Sequence, residues 1–297
     1  MHEPKQYDQK KLTGSHFTPP GLARFVARLM FNHFNGDGQL EIRVLDPSCG
    51  NGELLATFAQ VAPSSIRERL TLIGVDSNAA AISEAEARLS RLPVKRTEII
   101  HADFLDMNLR SFGQADFFNE APKREPVHAI IANPPYVRTQ VLGARRAQQL
   151  ASSFNLKGRV DLYQAFLVAM TQELCLGGIL GVITSNRFLS TKSGASTRGF
   201  LAANFDIAEV CDLGDTKLFD AAVLPAVFVG LKNPYNGHHH QKDLRRFVRI
   251  YESETKSPDP QREDNIFSIL DRRESGLYQS GRRFFKVSSG VLAIPSD

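Results

Sequence analysis

The chain has 297 residues, of which 42% are hydrophobic and 23% are charged, ordinary values for a globular protein. This length allows one large domain, or one domain with an appendage. No apolar run approaches the roughly 20 residues of a membrane span, and the polar N-terminus lacks the apolar core of a signal peptide, so a cytoplasmic location is expected. The formal net charge of +4 permits a polyanionic partner but does not require one.

Apolar periodicity predicts helices and strands that alternate along the chain. An N-terminal arm, residues 1–20, precedes the first of them. Helical spacing is found in segments 21–34, 53–62, 77–92 and 161–175. Strands are predicted at 42–46, 71–76, a stretch ending near 103, 127–133, 179–185, 207–213 and 223–231. This alternation predicts an α/β fold: a doubly wound, mostly parallel seven-stranded sheet with helices on both faces, in which the last two strands form an antiparallel edge pair.

Beyond about residue 235 the chain becomes polar and rich in turns, with one more strand-like alternation in RRFVRIYESE (245–254). We therefore divide it into the arm, a main domain over 21–235 and a C-terminal extension over 236–297. The three cysteines lack the spacing of a disulfide framework or a zinc site; they are Cys49, Cys175 and Cys211.

Acidic residues and glycines follow the first two predicted strands, where ligands bind in open parallel sheets. The loop Asp46–Gly52 contains two glycines that would let backbone N–H groups approach a ligand, although a tight strand-to-helix turn explains it equally well. Asp76 ends the second strand, where a carboxylate can accept both hydroxyls of a ribose. Asp76, Ser77 or Asn78 could instead cap the next helix.

The third and fourth strands end in residues suited to a flat ring. Asp103 could accept a hydrogen bond from an adenine amino group, and Phe104 could stack on the base or lie in the core. The fourth strand runs into Asn133–Tyr136, the tetrapeptide NPPY. Its prolines fix the chain direction and remove two donors. The Asn133 side-chain oxygen and the Pro134 carbonyl would then converge on an NH2 group, with the Tyr136 ring stacked on the base.

These segments, in this order, resemble the S-adenosylmethionine-dependent adenine-N6 DNA methyltransferases of the gamma arrangement, which are typical of bacterial restriction–modification systems. The resemblance covers roughly residues 12–232 in seven segments, from GSHFTPPGL through NPPY to TKLFDAAVLPAVFVGL. It implies a Rossmann-like methyltransferase fold, S-adenosylmethionine as the cofactor, double-stranded DNA as the partner and no membrane association. It makes residues 21–235 the catalytic domain of an adenine-specific DNA methyltransferase.

The resemblance also implies roles for individual residues. The cofactor-binding set is Thr18, Pro19, Asp46, Pro47, Gly50, Gly52, Asp76, Asp103, Phe104 and Asn133. The catalytic set is Asn133, Pro134, Pro135 and Tyr136. Tyr136 and Phe219 would stack on the two faces of the target base after it has rotated out of the duplex. No metal and no tuned general base is required, because the amine need lose its proton only after transfer.

Basic residues after the tetrapeptide are candidates for contact with DNA phosphates, or else form a solvated basic face. They are Arg138, Arg145, Arg146, Lys157 and Arg159. The segments RRFVRI (245–250) and GRRFFK (281–286) are further candidates. His238–His240 have no carboxylate or cysteine partner at ligand spacing and are interpreted as a surface turn rather than a metal site.

Two features leave the function open. Family members usually carry a target-recognition domain after the catalytic one, so residues 236–297 are interpreted as the start of such a region; a separate recognition polypeptide is the alternative. A methyltransferase acting on an RNA adenine or a protein glutamine, or a cofactor-binding subunit or fragment without activity of its own, also fits the motifs. The segment before the first strand and the segment with Phe219 favour DNA adenine.

Overall fold

The computed structural model describes residues 18–34, 36–112, 124–136, 143–156, 161–216, 224–233, 245–255 and 260–292. The helices in these ranges are α1 Pro20–Phe31, α2 Glu53–Val61, α3 Ser64–Arg67, α4 Ala79–Leu89, α5 Phe104–Phe112, α6 Ala144–Ser153, α7 Leu162–Glu173, α8 Arg187–Ser190, α9 Ala195–Asn204 and α10 Ile266–Arg272. None of the helices described is long and apolar enough to cross a membrane.

The strands described form one sheet. They are β1 Ile42–Asp46, β2 Leu70–Asp76, β3 Arg96–His101, β4 Val127–Ala132, β5 Leu174–Ser185, β6 Phe205–Asp212, β7 Pro225–Lys232, β8 Arg246–Glu252, β9 Gln261–Arg262, β10 Gly276–Ser280 and β11 Arg283–Val291. Their order is β3-β2-β1-β4-β5-β7-β6-β8-β11-β10-β9. The first five in this order are mutually parallel, and β7 is antiparallel to both of its neighbours. The predicted doubly wound α/β fold with a mostly parallel sheet is thereby confirmed.

The prediction of seven strands was wrong, since the described sheet has eleven. The predicted antiparallel pair, β6 and β7, forms as expected. It does not lie at the edge, because β8 pairs with β6 in parallel and β11 then pairs with β8. Sequence periodicity identifies a strand such as β8 but not its neighbour, because the neighbour is fixed by contacts between distant parts of the chain.

Helices cover both faces of the parallel half of the sheet, as the pattern of apolar residues requires. On one face α1, α2 and α4 bury their apolar stripes against β1, β2 and β5. Helix α1 is the most deeply buried of them, and five of its side chains are at most 1% exposed: Leu22, Phe25, Val26, Leu29 and Met30. On the other face α5 and α7 pack against β4 and β5 and against each other.

The described part of the C-terminal extension belongs to this same sheet and core. Its strands β8, β10 and β11 contribute Val248, Tyr278 and Phe285 to the core that contains α1. Helix α10 packs directly on α1. The interpretation of residues 236–297 as the start of a target-recognition region stays a prediction; the structure adds that the described strands of this segment extend the same sheet.

Candidate functional site

Four parallel strands bring their carboxyl ends to one edge of the sheet, called here the catalytic edge. Asp46 is the last residue of β1 and Asp76 is the last residue of β2. Asp103 follows β3 by two residues, and Asn133 follows β4 directly. Because β3, β2, β1 and β4 are neighbours in that order, the structure brings these four predicted site residues together.

Asp46 is buried beneath the first loop, with 1% of its surface exposed. Its Oδ1 accepts a hydrogen bond from the Ser48 backbone N–H at 3.1 Å. The pKa of Asp46 is raised to about 8, mainly by burial and to a smaller extent by the nearby Asp76 charge, while the Ser48 N–H opposes the shift. Because its carboxyl group is hardly accessible, Asp46 stabilises the conformation of the loop rather than contacting a ligand directly. Pro47, the next residue, is also buried.

Asp76 ties the first loop to the start of α4. Its Oδ2 accepts the Gly50 N–H at 2.8 Å and its Oδ1 accepts the Asn78 N–H at 2.8 Å. The cap of α4 is Asn78, whose side chain accepts hydrogen bonds from the N–H groups of the first turn. This resolves the alternatives for capping in favour of Asn78. Both Asp76 oxygens keep a further lone pair with which to bind a hydroxyl group.

Gly50 and Gly52 give the first loop its shape. Gly50 has φ 51° and Gly52 has φ 78°, values that residues with a side chain rarely adopt. Gly52 is the N-cap of α2, and its carbonyl accepts the Ala56 N–H at 2.9 Å. A methyl group on Gly52 would also lie 3.3 Å from Ala85 and Leu89 of α4. A side chain at position 52 would therefore strain the backbone and crowd α4.

The third strand end combines a helix cap with a core residue. Asp103 is exposed, and its Oδ1 accepts the N–H groups of Leu105 and Asp106 at 2.8 and 3.1 Å, which caps α5. Phe104 is 2% exposed and stacks on Phe166 of α7 with ring centroids 5.7 Å apart. The ring of Phe104 thus lies in the core between two helices, the alternative that its sequence position left open. Its assignment as a cofactor contact stays a prediction.

The tetrapeptide is connected to the N-terminal segment and to the first loop. The Asn133 Nδ2 donates to the Thr18 Oγ1 at 3.1 Å, and the Tyr136 hydroxyl donates to the Asn133 Oδ1 at 2.7 Å. The Ser48 hydroxyl is 3.4 Å from the Asn133 carbonyl oxygen, to which it donates. Three segments that are distant in sequence thus meet at Asn133, and its side-chain amide is held at the nitrogen by Thr18 and at the oxygen by Tyr136.

Thr18 is held in place by the start of α1. Thr18 is buried, Pro19 is the N-cap, and Pro20 is at the first helical position, where a missing N–H does no harm. The Pro19 carbonyl accepts the Ala23 N–H at 3.0 Å. The hydroxyl that contacts Asn133 therefore lies one residue before the cap of a helix whose apolar face is buried.

Tyr136 is a hydrogen-bond donor throughout the physiological pH range. It is partly buried, and burial raises the pKa of its phenol well above its ordinary value. The hydroxyl stays protonated and donates to Asn133, while Pro134 is buried and Pro135 is partly exposed beside it. The ring of Tyr136 is tethered at its hydroxyl end, on the carboxyl side of β4.

The Eco57I restriction-modification methylase family matches residues 69–219, half of the chain, which includes the ends of β2, β3 and β4 with the tetrapeptide. This chain belongs to that family.

Curated relatives of this Eco57I-family chain include two Type II methyltransferases. M.BanIII of Aneurinibacillus aneurinilyticus is 44% identical over 294 residues, which cover 97% of this chain and 50% of the relative. M.XhoI of Xanthomonas vasicola is 27% identical over 232 residues, which cover 73% of this chain and 42% of the relative. The chain thus spans about half the length of the curated relatives it matches.

Solved structures share the fold at low sequence identity. A class I S-adenosylmethionine-dependent methyltransferase from Listeria monocytogenes has a TM-score of 0.60 at 19% identity, covering 78% of this chain and 65% of that protein. The methyltransferase subunit of a type I restriction-modification system from Streptococcus thermophilus has a TM-score of 0.56 at 18% identity, covering 82% and 50%. These similarities show the methyltransferase fold.

The predicted phosphate-binding residues of this family member divide into two groups. Arg145 is exposed at the start of α6. Arg146 instead pairs with Asp106 at 2.6 Å and lies 3.5 Å from Asp103, so two carboxylates compete with any phosphate for it. Several predicted residues lie outside the described part of the chain: Arg138, Lys157, Arg159, Phe219 and His238–His240. Their roles stay predictions.

A second polar cluster at the catalytic edge was missed by the sequence analysis. Asn186 follows β5, Asp212 ends β6, and Tyr251 lies near the end of β8. The side chains of Asn186 and Tyr251 both donate to the Asp212 carboxylate, at 3.0 and 2.8 Å. The rule that identified Asp46 and Asp76, an acidic residue where a buried strand ends, also applies to Asp212 and would have found it.

Proposed function

We propose that this chain transfers a methyl group from S-adenosylmethionine to the N6 amino group of adenine in double-stranded DNA, as part of a restriction–modification system. Membership of the Eco57I restriction-modification methylase family supports this. So does similarity to Type II methyltransferases. The observation that carries the adenine assignment is the oriented Asn133 amide, held between Thr18 and Tyr136 at the catalytic edge.

The residues at the catalytic edge fit S-adenosylmethionine. Asp76 and Asp103 have carboxylate oxygens at the ends of β2 and β3, as hydroxyl and amino groups of a nucleoside require. The loop Asp46–Gly52 lies between these two carboxylates and the tetrapeptide. Its two glycines carry no side chain, so a ligand can lie against the loop backbone. When bound, the cofactor would supply an electrophilic methyl group on a positively charged sulfur. The carboxylates would also favour that positive charge.

Asn133 and Pro134 would hold the target amine. The Oδ1 of Asn133, which accepts the Tyr136 hydroxyl, is the proposed acceptor for one amino hydrogen, because an amide oxygen can accept two hydrogen bonds. Proline at position 135 has no N–H, so the Pro134 carbonyl lies in a segment that offers acceptors rather than donors. Two such acceptors draw the nitrogen lone pair out of the ring system and fix its direction. The protein thereby contributes position rather than acid–base chemistry.

The target base has to leave the duplex before it can reach Asn133. Base rotation costs roughly a few kcal/mol. Stacking on an aromatic ring stabilises the rotated base by about 1–3 kcal/mol, which offsets much of this cost. Tyr136 would provide one face of the stack, and Phe219 is proposed for the other. The Tyr136 hydroxyl donates to the same Asn133 Oδ1 that would accept the target amine, so entry of the base and the Tyr136–Asn133 hydrogen bond are proposed to be coupled.

Recognition of the target sequence is assigned to residues away from the catalytic edge. A region continuing from the C-terminal extension is one proposed source, and a separate specificity polypeptide is the other. The similar methyltransferase subunit from Streptococcus thermophilus is one component of a type I system, which makes the second arrangement worth testing. We propose the cytoplasm as the place of action.

A methyl-transfer assay tests the proposal. The chain is incubated with labelled S-adenosylmethionine and, separately, unmethylated DNA, RNA and a protein extract. We expect label in DNA as N6-methyladenine. Label in RNA or in protein glutamine would redirect the assignment to another amine, and no label anywhere with cofactor still bound would show that the chain has no activity of its own.

Two variants make the assay specific to the site. Asn133→Ala should lower transfer by at least a thousandfold while S-adenosylmethionine binding, measured by calorimetry, changes little. Asn32→Ala is the matched control, because Asn32 is an exposed asparagine at the far end of α1. Full turnover by Asn133→Ala would disprove the role of the tetrapeptide.

A further inference from the structure

Asp212 is a buried carboxylate whose two oxygens are both fully engaged. It is 2% exposed at the end of β6. Its Oδ1 accepts the Asn186 side-chain N–H at 3.0 Å and the Gly214 backbone N–H at 3.2 Å. Its Oδ2 accepts the Tyr251 hydroxyl at 2.8 Å and lies 3.2 Å from the Arg249 Nε. With four donors in place, this carboxylate is a fixed anchor for the groups around it.

Arg249 is held in one orientation by this anchor and by two aromatic rings. Its guanidinium carbon lies 5.6 Å from the ring centroids of both Phe247 and Tyr251. Its Nε is used by Asp212, yet 49% of the side chain is exposed. The Nη1 and Nη2 groups have no partner among the residues that the structure describes. An arginine ordinarily loses much rotamer freedom when it binds an anion; here that freedom is already restricted before binding.

The strand register places Arg249 on the catalytic edge. Ala132 of β4 pairs with Val182 of β5, and the same row continues through β7 and β6 to Phe247 of β8. Along their strands, Asn133 lies one residue beyond Ala132 and Arg249 lies two residues beyond Phe247. Because β4 and β8 run in the same direction, both residues lie at the same edge of the sheet. Four strand spacings separate them, about 19 Å in all. That is the axial rise of about five or six base pairs.

The charge around Arg249 suits an anion. Arg187 and Lys192 are exposed and follow β5 at the same edge. Two exposed carboxylates near the ends of β6 and β8 have partners: Glu252 binds Arg283 through two oxygens at 3.0 and 2.8 Å, and Asp215 accepts the Glu252 N–H at 2.9 Å. The anchoring Asp212 carboxylate is saturated and buried. Among the described residues, the exposed basic side chains at this edge, Arg187, Lys192 and Arg249, favour the approach of a polyanion.

We propose that Arg249 is a pre-organised phosphate contact for the DNA duplex whose base enters at Asn133. The proposal rests on the proposed function and adds to it a defined second point of attachment. Guanidinium groups bind phosphate oxygens through paired N–H donors, which suits the Nη1 and Nη2 groups left by the Asp212 anchor. Asn186 and Tyr251 act on the DNA only through Asp212 and are positioning residues.

Salt-dependent binding tests the proposal on the 297-residue chain. The dissociation constant for a DNA duplex is measured by fluorescence anisotropy between low and moderate KCl, with methyl transfer measured in parallel. Each phosphate contact contributes about 0.9 to the slope of log Kd against log salt. Arg249→Gln should lower that slope by about 0.9 and weaken binding about tenfold, with cofactor binding unchanged.

Arg91→Gln is the matched control, because Arg91 is exposed in the turn before β3, at the opposite edge of the sheet, and carries the same charge. Its slope should equal that of the wild type. Arg249→Lys keeps the charge but loses the paired donors, so it should keep the slope and still weaken binding severalfold. If Arg249→Gln does not fold, wild-type affinity in Arg249→Lys overturns the proposal.

The outcomes separate this proposal from the function on which it rests. If the wild-type chain methylates DNA and Arg249→Gln has the slope of Arg91→Gln, the phosphate contact is wrong and the function stands. If the wild-type chain binds S-adenosylmethionine but neither binds nor methylates DNA, both are overturned. A slope lowered only in Arg249→Gln supports both.

Discussion

The ring of Phe267 lies against the backbone of Gly21, so the C-terminal helix α10 contacts the first turn of α1. A methyl group on Gly21 would lie 2.9 Å from the Phe267 Cδ2 and closer still to Cε2. Phe267 also packs on Phe25, with ring centroids 6.1 Å apart, and Asp271 pairs with Arg28. Helix α1 begins two residues after Thr18, which binds Asn133. The C-terminal extension thus supports the helix that follows Thr18, the residue bound to the Asn133 amide.

We expect Phe267→Ala to reduce stability and methyl transfer together. Loss of a partly exposed ring should lower the free energy of unfolding by about 2–3 kcal/mol, somewhat less than for a fully buried one. Because α1 then loses its support near Thr18, kcat should fall even at temperatures where the variant is folded. Urea unfolding and steady-state kinetics measure the two effects, and Phe267→Leu should recover most of both. Lower stability with unchanged kcat would limit α10 to a structural role.

Gly21→Ala tests the same contact from the other side. The added methyl group overlaps the Phe267 ring and should destabilise the chain by about 1–3 kcal/mol. Gly199→Ala, in the middle of α9, is the control: its added methyl group would meet nothing within 4 Å, so it should be neutral or stabilise by up to about 1 kcal/mol. Equal effects in the two variants would contradict the contact.

Strand ends were the part of the site that the sequence could predict. Buried strands have near-continuous apolar runs, so the polar residues that end them can be identified from the sequence alone. Here these residues are Asp46, Asp76 and Asn133. Parallel order then brings them to one edge without further information. The Thr18–Asn133 hydrogen bond follows from the path of the N-terminal segment, which no local pattern encodes.

The extended sheet and the Arg249 cluster could not be predicted in the same way. The apolar alternation of β8 is readable, but β8 pairs with β6, which lies far from it in the chain, and the turn-rich residues before β8 do not specify that partner. Phe104 illustrates a different limit. It follows a strand end, as a ligand-binding residue would. It is also the first residue of α5, and its ring packs in the core against Phe166.

Thr18 should affect the rate of transfer more than the binding of DNA. Thr18→Val keeps the shape of the side chain but removes the acceptor for the Asn133 Nδ2. A lost hydrogen bond of this kind is worth about 1 kcal/mol, so we expect kcat to fall by about fivefold to tenfold. Thr18→Ser keeps the hydroxyl and should retain most of the rate. The measurement is single-turnover transfer with saturating cofactor and DNA; equal rates for Val and Ser would remove Thr18 from the positioning of Asn133.

Gly52→Ala should weaken cofactor binding through the shape of the first loop. The substitution has two costs, a left-handed backbone of about 1–2 kcal/mol and a close contact with α4. Gly38→Ala separates them, because Gly38 has φ 74° but its added methyl group would meet nothing within 4 Å. We expect Gly38→Ala to lose stability only, and Gly52→Ala to lose more stability and cofactor affinity as well. Calorimetry would contradict this if both variants bound S-adenosylmethionine like the wild type.

Asp46 should make stability and cofactor binding depend on pH. Burial raises its pKa to about 8, above the ordinary value of 3.8, so the folded chain retains a proton that the unfolded chain releases. Its contribution to stability is therefore complete below about pH 4 and is lost as the pH rises to about 8. The steepest slope is about 1.4 kcal/mol per pH unit. In Asp46→Asn, urea unfolding should lack this decline over that range.

The same group should release a proton when the cofactor binds. The positive charge of S-adenosylmethionine near the catalytic edge favours the ionised carboxylate and lowers the pKa of Asp46. At pH 7, calorimetric titrations in two buffers of different ionisation enthalpy should report close to one proton released by the wild type and markedly less by Asp46→Asn. Equal proton release by both proteins would show that Asp46 is already ionised in the free protein, or that the cofactor charge does not reach it.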